Sequence, residues 1–135
     1  MTKQDVLSLL EVNQNEKGMQ KWHVESARAA NLKSYGVGLT KLRKMAKDIG
    51  HDHALAAELW RSDVYDARVI ALLVDDPKVI TREQIEQQVE QVDIGYLPHV
   101  LSSCDATLAK APFVVELAED WIKNDDPIRR RCGYG

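Results

Sequence analysis

The sequence predicts an all-α fold: one domain built as a stack of antiparallel helix pairs. Three observations carry this. Between the seven glycines and four prolines of the chain, apolar residues recur at three- and four-residue spacing, the pattern of one face of an α-helix. No stretch alternates with period two between turn signals, so no sheet is expected. A weak internal repeat is also present. Glu58-Leu59-Trp60, a polar turn and Asp63 to Arg68 resemble Glu119-Asp120-Trp121, a polar turn and Asp126 to Arg130, and the two tryptophans stand 61 residues apart. A helix, a short acidic turn and a second helix, used more than once, is the unit from which helical repeat arrays are stacked.

Each element follows from its own signals. Thr2 with Asp5 three residues on is a capping box, opening a short amphipathic helix with Val6, Leu9 and Leu10 on one side. A second helical stretch covers roughly residues 16 to 30 and is broken by Tyr35-Gly36-Val37-Gly38. Leu39, Leu42, Met45, Ala46 and Ile49 then mark a third helix, closed by Gly50 in the C′ position. Leu55, Leu59 and Trp60 belong to the next, which ends at Arg61-Ser62. Asp63 is expected to cap the helix after it, which is apolar nearly all round from Ala67 to Val74 and therefore buried between neighbours. Asp75-Asp76-Pro77 stops that run, and Thr81 with Gln84 opens a polar helix to about Val92. Segments after Asp93, Asp105 and Asp126-Pro127 also read as helical, with Pro112 splitting the middle one.

Composition narrows the function classes. The 135 residues are 44% apolar and 29% charged, with a net charge of −3, enough for one domain and unlike a disordered chain. No apolar run approaches the ~20 residues of a membrane-spanning helix. The first residues lack the basic flank and apolar stretch of a secretory signal. Cys104 and Cys132 are too few for a disulfide framework, so both are read as reduced thiols in a cytoplasmic protein. The net charge argues weakly against a dedicated nucleic-acid binder, but it is uneven. Residues 1–50 hold nine Lys/Arg against five Asp/Glu, and residues 51–100 hold four against ten.

Within the basic third, Lys41, Lys44 and Lys47 with Arg43 beside them form either a phosphate-contacting ridge or a solvated helix face. Arg129-Arg130-Arg131 either grips phosphates or pairs with Asp125 and Asp126. Trp60 and Trp121 sit at helix ends and read as packing residues. His51, His53 and His99 have no Cys or carboxylate at ligand spacing, so no metal is expected, and His51 and His53 read as helix-opening polar residues. Cys104 lacks a Cys-x-x-Cys partner, and Gly36-x-Gly38 lacks the third glycine and preceding strand of a phosphate loop. No cofactor is implied.

Tyr35-Gly36-Val37 with Leu42-Arg43-Lys44, then Leu59-Trp60-Arg61-Ser62, then Ala67-Arg68 leading into the apolar run that ends at Asp75-Asp76-Pro77-Lys78 form an ordered set. Taken together these stretches resemble the DNA alkylation repair family, the AlkD-like glycosylases built from HEAT-like repeats. The likeness extends from Tyr35 to the C-terminus. It implies a HEAT-like helical repeat, an α-solenoid whose basic concave face holds duplex DNA, and excision of cationic alkylated purines of the 3-methyladenine and 7-methylguanine type. That reaction develops positive charge on the sugar, which a carboxylate beside it stabilises.

The family's W-D-x-x-D stretch falls on Gly95-Tyr96-Leu97-Pro98-His99, with Gly95 at the tryptophan and His99 at the catalytic aspartate. Asp93 is the nearby carboxylate, and Arg131 takes the place of the phosphate-contacting arginine. The resemblance therefore implies a DNA-binding member with a degenerate catalytic motif: DNA contacts at Lys41, Arg43, Lys44, Lys47, Arg129, Arg130 and Arg131, and at most Asp93 and His99 in catalysis. The alternative is a non-catalytic HEAT-like scaffold that binds protein or unusual DNA structures. Typical members continue through further helices, so this chain is expected to lack the C-terminal ones and to be able to self-associate through the end of the array.

Overall fold

In the computed structural model the described residues are 2–25, 33–90, 100–101, 107–127, 129 and 132. Among them are seven α-helices: α1 (Lys3–Val12), α2 (Glu16–Glu25), α3 (Leu39–Ile49), α4 (His53–Trp60), α5 (Tyr65–Val74), α6 (Arg82–Val89) and α7 (Val114–Ile122). A 3-10 turn covers Thr107–Lys110. No strand occurs among the described residues; one isolated parallel bridge joins Lys33 and Val64. The chain divides into two compact units, Met1–Asp75 and Asp76–Gly135.

The N-terminal unit is built around α5. Tyr65 to Val74 is buried at every position except Arg68, as a helix apolar all round requires. α1, α3 and α4 pack against it. The backbone N–H of Asp52 donates to the Val74 carbonyl at 2.7 Å, so the start of α4 meets the end of α5 and the two form an antiparallel pair. Two expected signals, Thr2–Asp5 and Gly50, act as read, and Asp52 adds a cap that the sequence reading did not name. Thr2 and Asp5 close their capping box, and the carboxylate of Asp5 is held below its usual range by the Thr2 backbone and hydroxyl donors. Gly50 ends α3 at φ 77°, a left-handed conformation suited to glycine. Asp52 caps α4 by accepting from the Leu55 N–H at 3.0 Å.

Asp63 does not cap α5. The N-cap is Val64, which offers no side-chain bond. The Asp63 carbonyl instead accepts from the Lys33 N–H at 2.8 Å, while the Ser62 hydroxyl accepts from the Val64 N–H at 3.1 Å. A distant segment has taken the backbone that a local cap would have satisfied, and that exchange is invisible to local sequence rules.

That segment, residues 33–38, is a non-helical strap. The Tyr65 N–H donates back to the Lys33 carbonyl at 2.7 Å. Asp66, 1% exposed, accepts from the Ser34 hydroxyl at 2.9 Å and the Tyr35 N–H at 3.0 Å, with the Val37 N–H as a further donor. Burial raises the Asp66 pKa, and these three donors oppose the rise without cancelling it. Gly36 has φ 68° and lies directly against Gly18, so close that a Cβ on either would collide with the other's backbone. Tyr35-Gly36-Val37 is thus the point where the strap crosses the start of α2.

In the C-terminal unit Thr81 caps α6 by accepting from the Gln84 N–H at 3.2 Å. Pro112 falls between the 3-10 turn and α7, where the sequence placed a break. The buried apolar residues here are Ile80, Ile85, Val89, Val100, Leu101, Leu108, Ala111, Leu117, Trp121 and Cys132. Among the described residues no helix is long and apolar enough to cross a membrane.

Candidate nucleic-acid interface

The basic residues singled out from sequence fall into three groups. The first lies on α3. Leu42 and Ala46 are its buried positions, and at about 100° per residue Lys44 stands opposite their midpoint. Lys41, Lys44 and Lys47 are all exposed. Among the described residues no carboxylate forms an ion pair with any of them. Arg43 is half-buried at the margin of this face. The helix is amphipathic because its apolar residues recur at three- and four-residue spacing, which leaves the intervening lysines on the other side.

The second group is Arg129 by itself, and its surroundings are the reverse. Its side chain is 15% exposed. Nε donates to the Glu86 carboxylate at 2.9 Å, Nη1 to Asp126 at 2.8 Å, and Nη2 to the Glu86 carbonyl at 3.2 Å and to Glu90 at 3.3 Å. Burial pulls its pKa down, but Glu86, Glu90 and Asp126 outweigh that and hold the guanidinium above its ordinary value. The other Glu86 oxygen accepts from the Trp121 Nε1–H at 2.9 Å. Glu86 therefore ties α6 to both the tryptophan of α7 and the arginine that follows it. Nearby, Arg82 pairs with Asp120 at 2.5 Å and lies 3.7 Å from Glu116. The Asp120 bond is the main reason its pKa is raised.

The third group, Arg130 and Arg131, lies outside the described residues. So do Asp93, His99, Gly95 and Cys104; no distance relates the two candidate catalytic positions to the lysines or to Arg129.

The tryptophans behave as packing residues. Trp121 is 2% exposed. Trp60 is half-buried at the end of α4, with the Arg68 guanidinium 5.6 Å from its ring centroid. Burial lowers the Arg68 pKa, with Asp63 opposing. His51 and His53 open α4 and clamp the end of α5: His51 Nδ1–H donates to the Asp75 carbonyl at 2.9 Å, and His53 Nδ1–H to the Asp75 carboxylate at 2.6 Å. Among the described residues no cluster of three or more metal-ligating side chains occurs.

Glu86 and Asp66 were not singled out from sequence, and Asp75 was read as part of a helix stop and not as a buried acceptor. Glu86 stands four residues after Arg82, a visible helical pair, but nothing local connects it to residue 121 or 129.

A solved structure matches with a TM-score of 0.82 over 99% of this chain at 24% identity. It is described as "a new family of proteins related to the HEAT-like repeat DNA glycosylases with affinity for branched DNA structures". The likeness establishes a HEAT-like helical repeat fold. This chain spans 55% of that protein's length. Comparison with curated proteins gives no match. Residues 4–134, nearly the whole sequence and both compact units, match the family described as DNA alkylation repair enzyme, and the chain belongs to that family.

Proposed function

We propose that this protein binds DNA through its sugar-phosphate backbone and is not organised for base excision. The observation that carries the reading is the α3 face: three exposed lysines at i, i+3 and i+6, opposite the buried side of the helix, with no ion pair to a carboxylate among the described residues. Cations left without protein partners release condensed counterions when they meet phosphates, which gives affinity without sequence preference. Family membership and the fold shared with proteins described as having affinity for branched DNA support the same reading.

The sequence at the aligned catalytic stretch supports the second half of the proposal. Gly95 supplies no aromatic face, and His99 supplies an imidazole where a carboxylate would stabilise the developing sugar cation. Neutral imidazole is a poor electrostatic partner for that charge, and the protonated ring opposes it. Asp93 is the carboxylate through which excision of an alkylated purine could still run.

The test is equilibrium binding to a plain duplex, a duplex with an abasic-sugar mimic and a four-way junction across a salt series, paired with an assay for base release from methylated DNA. Salt-sensitive binding without base release is the expected result. Base release that disappears in Asp93→Asn would overturn the non-catalytic half. Absence of binding to all three DNAs at low salt would overturn the DNA reading and leave a protein-binding scaffold.

A further inference from the structure

We infer that, of the described basic residues singled out from sequence, the α3 lysines make the DNA contact, on a face that fits the phosphates of a single strand, and that Arg129 is an internal clasp and not a DNA contact. The first half rests on the DNA-binding reading above; the second stands on geometry alone.

Arg129 has used its fork. All three guanidinium nitrogens donate to protein acceptors, two of them to Glu86 through its carboxylate and its backbone carbonyl. A phosphate would have to displace a partly buried, multidentate set of charge-assisted bonds. It would also approach past Glu86, Glu90 and Asp126, which surround the guanidinium with negative charge. Release would leave the half-buried Glu86 carboxylate with the Trp121 ring donor and a 3.9 Å ion pair to Arg82. Each of these costs opposes using Arg129 as a phosphate ligand.

The α3 lysines carry none of these costs. From Lys41 to Lys47 the helix rises about 9 Å at about 1.5 Å per residue. One strand of a duplex presents a phosphate every 3.4 Å or so along its axis, so the stripe spans two to three phosphates. A footprint this short tracks one backbone and does not need the second strand.

Two titrations and one unfolding series test this with the full chain. The probes are a short labelled duplex and a single-stranded oligonucleotide of the same length. Lys41→Gln/Lys44→Gln/Lys47→Gln is expected to weaken binding to both probes by about tenfold or more at low salt. The slope of log K against log salt should fall by about two to three for the duplex. Arg129→Met is expected to keep the wild-type affinity below its lowered unfolding temperature, and its loss of stability should be non-additive with that of Glu86→Gln in a double-mutant cycle.

A duplex affinity unchanged by the triple substitution overturns the α3 assignment. So does a single strand that fails to compete with the duplex. Loss of affinity in Arg129→Met with native helical content overturns the clasp, and Arg129→Lys separates the two roles. It keeps the charge for a phosphate but not the fork for Glu86 and Asp126. If wild type binds neither probe, the DNA reading fails while the Arg129–Glu86 coupling can still be measured.

Discussion

The two compact units solve the same problem, keeping helices together, with opposite uses of their charged residues. In the N-terminal unit the polar groups turned inward are mainly acceptors: Asp66 and Asp75 are buried and gather donors from the strap and from His53. Its α3 lysines face outward, with no carboxylate partner among the described residues. In the C-terminal unit the partly buried Arg129 and the more exposed Arg82 each engage several carboxylates. Two arginines that follow a tryptophan make the contrast concrete. Arg68 stacks over Trp60, whereas Arg129 reaches Trp121 only through Glu86. A cation is available to a phosphate when the fold has not already supplied its counter-charge, and local sequence does not reveal which case holds.

The largest test of this contrast is the apolar foundation of the N-terminal unit. Leu59 and Ile70 are fully buried; truncating either to Ala should cost about 3 to 4 kcal/mol in chemical denaturation. A comparable loss from any single C-terminal ion pair would erase the distinction between the units.

Asp66 comes next. Asp66→Ala leaves the Ser34, Tyr35 and Val37 donors without their acceptor, at about 2 to 3 kcal/mol. Its pKa is raised by burial from the model-peptide value of 3.8, so the sign of its pH dependence is the reverse of a salt-bridged carboxylate. The stability it contributes is fully present below 3.8 and is lost as pH rises through the folded value. The gap between wild type and variant should therefore be wider in acid than at neutral pH. A gap that widens towards neutral pH would show that the donors outweigh burial.

The Arg129–Glu86 coupling should be about 1 kcal/mol and shrink in high salt. Arg82 is more exposed, and Arg82→Ala should cost less than breaking the Arg129–Glu86 pair despite its three carboxylate neighbours. The smallest effect belongs to the α3 lysines, whose combined replacement by Gln should change stability by less than about 0.5 kcal/mol per site. A larger change would mean the lysines support the fold, weakening the case for a binding face.

Much of the fold was legible in the residues because its causes are local. Thr2, Gly50 and Thr81 mark helix ends through bonds to residues three or four positions away. The uniform apolarity of residues 69–74 required burial whatever the neighbours were. The α3 face was legible for the same reason: the three-residue period of its lysines follows from helical geometry. Asp63 is where local reasoning failed, because Lys33 pairs with its carbonyl from thirty residues away.

The sequence alone thus determined most of the described helices, the family resemblance and the position of an outward lysine stripe, since each depends on periodicity or on contacts within a turn; Leu9, read with Val6 and Leu10, is exposed. Only the tertiary structure decided the fate of Arg129, the burial of Asp66 beneath the 33–38 strap and the clamp of His53 on Asp75. Each of those depends on a partner more than twenty residues away, and which distant carboxylate meets which cation is fixed by how the helices pack.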